Sequence, residues 1–139
     1  MKLIFREGAH YVLRFDKGED VIEELARFAE AEKISGASFG GIGATEGVTL
    51  AYYNLDEKKY YDKDFNDRLE IVSLTGNIAR LEGKPIVHAH GSFSDPDMQV
   101  MAGHVKRLMV SATCEVFLTA LNGEIMREYS EEIGLNLLK

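Results

Sequence analysis

Arg68-Leu69-Glu70-Ile71-Val72-Ser73-Leu74-Thr75-Gly76-Asn77-Ile78-Ala79 is a long run rich in β-branched and aliphatic residues. Glu82-Gly83-Lys84-Pro85 then supplies turn chemistry, and Ile86-Val87-His88-Ala89-His90-Gly91-Ser92-Phe93 is a second β-rich run. Two such runs around a short turn read as neighbouring strands. The second also carries the pair that gives the chain a chemistry. In an extended segment, residues i and i+2 point to one face, so His88 and His90 present two imidazoles side by side.

Outward from this stretch the same pattern repeats. On the N-terminal side, His10 to Phe15 reads as a strand ended by Asp16-Lys17-Gly18. Val21, Ile22, Leu25, Phe28 and Ala29 follow at helical spacing, with Glu23, Glu24, Arg27 and Glu30 on the opposite side. An amphipathic helix over roughly 20–33 is predicted, with acidic Glu19 and Asp20 at its start and a stop at Ser35-Gly36. Ala37 to Ala44, Gly47 to Leu55 and Lys58 to Phe65 are strand-like. On the C-terminal side, Gln99 to His104, Val110 to Leu121 and Glu124 to Tyr129 complete the series. Asn122-Gly123 predicts a type I′ hairpin between the last two. The fold class is α+β: a mainly antiparallel sheet of about seven strands with one principal amphipathic helix. One helix cannot cover both faces of such a sheet, so partner subunits are expected to supply a second cover.

At 139 residues the chain is read as a single domain, residues 1–139. No stretch approaches the ~18–20 apolar residues of a membrane span, and the opening residues lack a secretory core. The expected location is the cytoplasm. Cys114 is the only cysteine and lies in an apolar run, where it reads as a small buried hydrophobe. The net charge is −7, and the only adjacent basic pairs are Lys58-Lys59 and Lys106-Arg107. Nucleic-acid affinity draws on Lys and Arg neutralising phosphates, so DNA binding by the isolated domain is not expected.

The segment Gly40-Gly41-Ile42-Gly43-Ala44-Thr45-Glu46-Gly47 has Glu46 where a dinucleotide fingerprint needs glycine, and strand-like residues follow it. It reads as a bend in a tightly packed strand. Asp95-Pro96-Asp97 reads as a turn between strands.

His104 follows His90 after thirteen intervening residues and stands directly after Gly103. If the turn at Asp95-Pro96-Asp97 returns the chain beside the first pair, three imidazoles converge and leave a fourth metal position open. That donor set is typical of catalytic zinc. The competing reading is three hydrogen-bonding histidines on a partly buried sheet face. Glu115 interrupts an apolar strand and is the candidate carboxylate, as a histidine orienter, a ligand or a proton carrier; the alternative is a strand residue facing solvent or an arginine partner such as Arg68 or Arg107.

The Arg68–Ile78 run, followed by Gly83-Lys84-Pro85-Ile86-Val87-His88-Ala89-His90, Ala102-Gly103-His104 and Ala112-Thr113-Cys114-Glu115, resembles the plant and prokaryote conserved domain, or domain of unknown function 296. The resemblance covers essentially the whole chain and is to the short stand-alone prokaryotic type. It implies an α+β fold around an antiparallel sheet, a homotrimer, and zinc held in some members by the histidines matching His88, His90 and His104. It also implies a fold like that of acetolactate decarboxylase, a three-histidine zinc enzyme. The family's Gly-Gly-His appears here as Ala102-Gly103-His104. Its Gly-Arg-Phe-Glu-Ile, tied in plant members to transcription-factor binding, appears as Asp67-Arg68-Leu69-Glu70-Ile71. The Arg-Gly-Arg-Pro core of the plant AT-hook is absent.

Two functional readings stand. One is a small metal-binding protein, with or without an enzymatic activity on an unassigned small molecule. The other is a non-catalytic protein-interaction or assembly module, linked to transcription regulation, whose histidines are structural.

Overall fold

Asp20 starts the helix as expected: its carboxylate accepts the backbone N–H of Ile22 at 2.9 Å and of Glu23 at 3.4 Å. A cap of this kind contributes about 1 kcal/mol. Helix α1 (Val21–Ala31) buries Val21, Leu25, Phe28 and Ala29, the stripe that the spacing predicts. It stops earlier than Ser35-Gly36. Lys33 adopts a left-handed φ of 55°, and the N–H groups of Lys33 and Ile34 close onto the carbonyls of Glu30 and Ala29. This is a Schellman closure with lysine in the usual glycine position.

The computed structural model describes residues 1–139. Before the helix lie β1 (Lys2–Glu7) and β2 (His10–Asp16), and after it β3 (Ala37–Asn54), β4 (Lys59–Phe65), β5 (Leu69–Leu81), β6 (Lys84–Ser94), β7 (Val100–Ala120), β8 (Arg127–Ser130) and β9 (Leu135–Leu138). Seven strands form one antiparallel sheet in the order β1-β2-β7-β6-β5-β3-β4. β3 also pairs with β7, so β3, β5, β6 and β7 close into a ring. The α+β expectation holds.

Two pairs of expected strands are single long ones. Ala37–Ala44 and Gly47–Leu55 join as β3, and Gln99–His104 and Val110–Leu121 join as β7. Register shifts between Gly41 and Gly43, Gly43 and Thr45, and Thr45 and Gly47 let the strand bend without breaking. Buried Thr45 holds the irregularity: its hydroxyl donates to the Met109 carbonyl at 2.6 Å and accepts from the Gly47 N–H at 3.1 Å. At Gly43 the neighbouring strand comes so close that a Cβ would lie 2.3 Å from the Thr113 carbonyl oxygen. The glycine cluster is thus a close-packed bend.

The Asn122-Gly123 hairpin does not form. Neither residue takes the positive φ that a type I′ turn needs. Both sides of the end of β7 are already occupied, by β2 at Thr119 and by β3 at Ala120, so no edge is open to a returning strand. The chain instead crosses Ser35–Gly36 and reaches Arg80, where the Arg80 N–H donates to the Ile125 carbonyl at 2.7 Å. It ends in the separate β8–β9 hairpin, whose strand β9, like β1, the sequence reading did not anticipate. Tyr53 ties that hairpin down by donating its hydroxyl to the Ile133 carbonyl at 2.7 Å.

The core lies between α1 and the ring, where Leu13, Phe15, Val21, Leu25, Phe93, Leu108 and Val116 are fully enclosed. Burying each such side chain contributes about 1.5–3 kcal/mol. Cys114 is among these buried residues, as expected. No helix is long and apolar enough to cross a membrane.

Candidate metal centre

β6 places His88 and His90 on one face and turns Ala89, between them, into the core. The turn at Asp95 then reverses the chain. The Asp95 carboxylate accepts the N–H groups of Asp97 at 3.0 Å and Gln99 at 2.9 Å. The returning β7 sets His104 directly opposite His90. Ring centroids are 5.2 Å apart for His88–His90, 5.1 Å for His88–His104 and 5.5 Å for His90–His104. One nitrogen from each ring falls within 4.8 Å of the other two.

The neighbouring strand fixes the height of this platform. Gly76 on β5 pairs with Ala89, and a Cβ at position 76 would lie 2.3 Å from the His88 carbonyl oxygen and 2.5 Å from the Phe39 ring. Only a residue without a side chain lets β5 and β6 approach this closely. β4 supplies a wall: the Tyr60 ring packs on His104 at 5.2 Å, and Lys106, paired with Asp62 at 2.7 Å, lies 4.8 Å from the centre of the same ring.

His88 and His104 are partly buried and His90 is exposed. Burial, then the charges of His88, His90 and Lys106, hold His104 down to about 4, with Asp62 opposing. Burial lowers His88 too, assisted by Arg127 and His90. Both imidazoles therefore favour the neutral form, which is the form that ligates metal. His104 Nδ1 is buried and has no hydrogen-bond partner. A buried, unsatisfied ring nitrogen costs free energy unless something meets it.

Glu115 is not brought to this cluster. It lies eleven residues beyond His104 on the continuous strand β7, a separation on the order of 30 Å. There it is exposed, opposite Arg14 on β2 and Ile42 on β3. Arg14 bonds Asp16 rather than Glu115. Within one chain Glu115 cannot orient these histidines, join them as a ligand or move a proton among them. Its interruption of an apolar run reflects an outward-facing strand position. His10 is also remote from the cluster and bonds the Thr119 hydroxyl at 3.1 Å.

Sequence reasoning missed Arg127. This residue opens β8, and its guanidinium donates to Asn77 Oδ1 at 2.8 Å and to the Asn136 carbonyl at 2.9 Å. It also lies 3.3 Å from His88 Nδ1. An isolated arginine in a short strand carries no pattern that announces this placement. Tertiary packing alone brings the C-terminal hairpin over the histidines.

No curated protein matches. Among solved structures, a Bacteroides thetaiotaomicron protein named as a candidate DNA-binding protein is 28% identical with a TM-score of 0.94, over 97% of this chain and 94% of that one. The metal-containing protein from Archaeoglobus fulgidus is 34% identical with a TM-score of 0.89, over 100% of this chain and 99% of that one. Acetolactate decarboxylase from Bacillus subtilis subspecies spizizenii shares the fold at 15% identity and a TM-score of 0.59, over 84% of this chain and 54% of that one. Residues 4–122 match the model of the Plants and Prokaryotes Conserved domain, and the chain belongs to that family.

Proposed function

We propose that this protein binds one zinc ion per chain through His88, His90 and His104, with a coordination position left for water or a small molecule. The observation that carries the reading is the convergence of three ring nitrogens, one from each histidine, within 4.8 Å of one another. Tetrahedral zinc at about 2.05 Å from each nitrogen needs them about 3.3 Å apart. The three ring nitrogens already lie within 4.8 Å of one another. Three imidazoles without a thiolate or carboxylate suit zinc better than magnesium, calcium or an iron–sulfur cluster. The similar Archaeoglobus fulgidus protein is named as metal-containing, which agrees with the reading.

A metal held by His88, His90 and His104 would supply Lewis acidity. The chain's own contribution is to keep His88 and His104 neutral by burial and to wall the site with Tyr60 and the β8–β9 hairpin. Metal analysis of protein purified without a polyhistidine tag tests the proposal. One equivalent of zinc, lost on chelation and in His104→Ala, is expected; absence of bound metal after zinc loading and desalting would refute it.

The proposal includes a homotrimer working in the cytoplasm. Ile42, Val72 and Phe117 are 59%, 51% and 63% exposed on the side of the sheet away from the helix, apolar surface of the kind that subunit association covers. Light scattering at micromolar concentration should give about three times 15.5 kDa. A clean monomer would refute this part alone.

A further inference from the structure

We infer that the cavity between the histidine cluster and the C-terminal hairpin binds a small aliphatic carboxylate, with Arg127 as its anchor. The inference adds a ligand class to the site proposed above, and it concerns residues of this chain whether or not metal is present. The cavity measures about 250 Å³. Its polar side carries His88, His104 and Arg127, and its apolar side Ile86, Leu135 and Leu137. At ~30 Å³ per water this volume corresponds to roughly eight waters, the size of an acid of four to six carbons.

The charge at the polar end is not neutralised by the protein. Arg127 makes no ion pair, and its partners are an amide oxygen, a backbone carbonyl and an imidazole, all uncharged. Of its five N–H groups, three are engaged, and Nε is buried without any partner. Lys106, which lies against the Tyr60 ring of the same wall, is already paired with Asp62. A half-buried guanidinium without a counter-ion is costly, and a planar carboxylate is its best-matched acceptor. The apolar wall opposite argues for a hydrocarbon tail on that carboxylate rather than for a bare inorganic anion. An anion here would also lie beside the histidines, where a bound cation strengthens the attraction.

The hairpin carrying Arg127, Leu135 and Leu137 lies beyond residue 122, where the family match ends. The hairpin thus adds its arginine and leucines to a pocket whose histidines come from the family-matched part of the chain.

Isovalerate is a suitable probe, with its neutral isostere isovaleramide and with inorganic phosphate as comparisons. Titrations would follow the side-chain N–H signal of Arg127 and the ring signals of His88 and His104 by NMR, in chelator-treated protein. Saturable shifts with isovalerate are expected, with at least tenfold weaker binding of isovaleramide and of phosphate. Arg127→Gln should weaken isovalerate at least tenfold, and Arg127→Lys by less. Equal binding of acid and amide, or phosphate binding as tightly as isovalerate, would overturn the inference. If Arg127→Gln does not fold, the acid–amide comparison on the unaltered protein decides alone. Zinc stoichiometry on the same preparations keeps the two proposals apart: loss of zinc binding with isovalerate retained refutes only the metal site, and the reverse refutes only this one.

Discussion

His90 on β6 and His104 on β7 are direct cross-strand partners, with ring planes at 82° to each other and centroids 5.5 Å apart. This pairing converts a thirteen-residue gap in sequence into one rung of a sheet. His88, two residues back on the same face, completes the triangle.

Because each ring offers one nitrogen to a shared point, removing any one should abolish stoichiometric zinc. His88→Ala, His90→Ala and His104→Ala are each expected to lower zinc affinity by at least about 100-fold with little change in far-ultraviolet circular dichroism. Glu115→Gln and His10→Ala should leave zinc stoichiometry unchanged, since both lie far from the cluster. Full zinc binding by His90→Ala would break the three-histidine assignment.

Metal-free protein should lose stability as pH falls from about 6.5 to about 4. His104 in the fold is held at about 4, against 6.5 as its ordinary value, so in this window the unfolded chain takes up a proton that the native state refuses. The lowered His88 acts in the same sense. Asp20, raised by burial, acts oppositely at the acid end. Melting temperatures measured with chelator across this range should drop for the unaltered protein and fall less steeply for His104→Gln. Identical slopes would show that His104 is not the titrating group.

Gly43→Ala should destabilise by about 1–3 kcal/mol, roughly 3–10 °C in Tm. The added carbon would meet backbone atoms, the Thr113 carbonyl at 2.3 Å and Cys114 Cα at 2.6 Å, which cannot swing away. Gly123→Ala, with open space around it, should melt within a degree or two of the parent. A large loss at position 123 would instead indicate a tight turn there.

Cys114 should be silent toward thiol reagents in the native protein at pH 8. It is fully buried, and burial beside Glu115 pushes its thiol up to about 12. One thiol per chain should react only after denaturant is added. Rapid native-state labelling would contradict the packing of β7 against β2 and β3.

Duplex DNA should bind weakly, with Kd above the micromolar range at physiological salt. The net charge is −7, and Lys106 is held by Asp62. Fluorescence anisotropy with a labelled duplex checks this, and a nanomolar sequence-specific complex would favour the regulatory reading over the metal site.

The sequence alone determined what local patterning controls. The period-2 runs, the Asp20 cap and stripe of α1, the turn at Asp95-Pro96-Asp97 and the shared face of His88 and His90 all follow from residues within a few positions of one another. The tertiary structure decided what depends on distant edges. Asn122-Gly123 has the residues of a hairpin but no free edge of β7 to return to, because β2 and β3 hold both sides. Glu115 and His104 sit in one apolar-rich strand, and only its unbroken length through the bulges shows them to be far apart. Arg127 reaches His88 because the hairpin packs across β5, through a contact spanning 39 positions that no local pattern encodes. Strand identity is a local property of alternating side chains, whereas strand continuity, edge occupancy and long-range packing depend on the rest of the chain, and the site at the histidines is built from both.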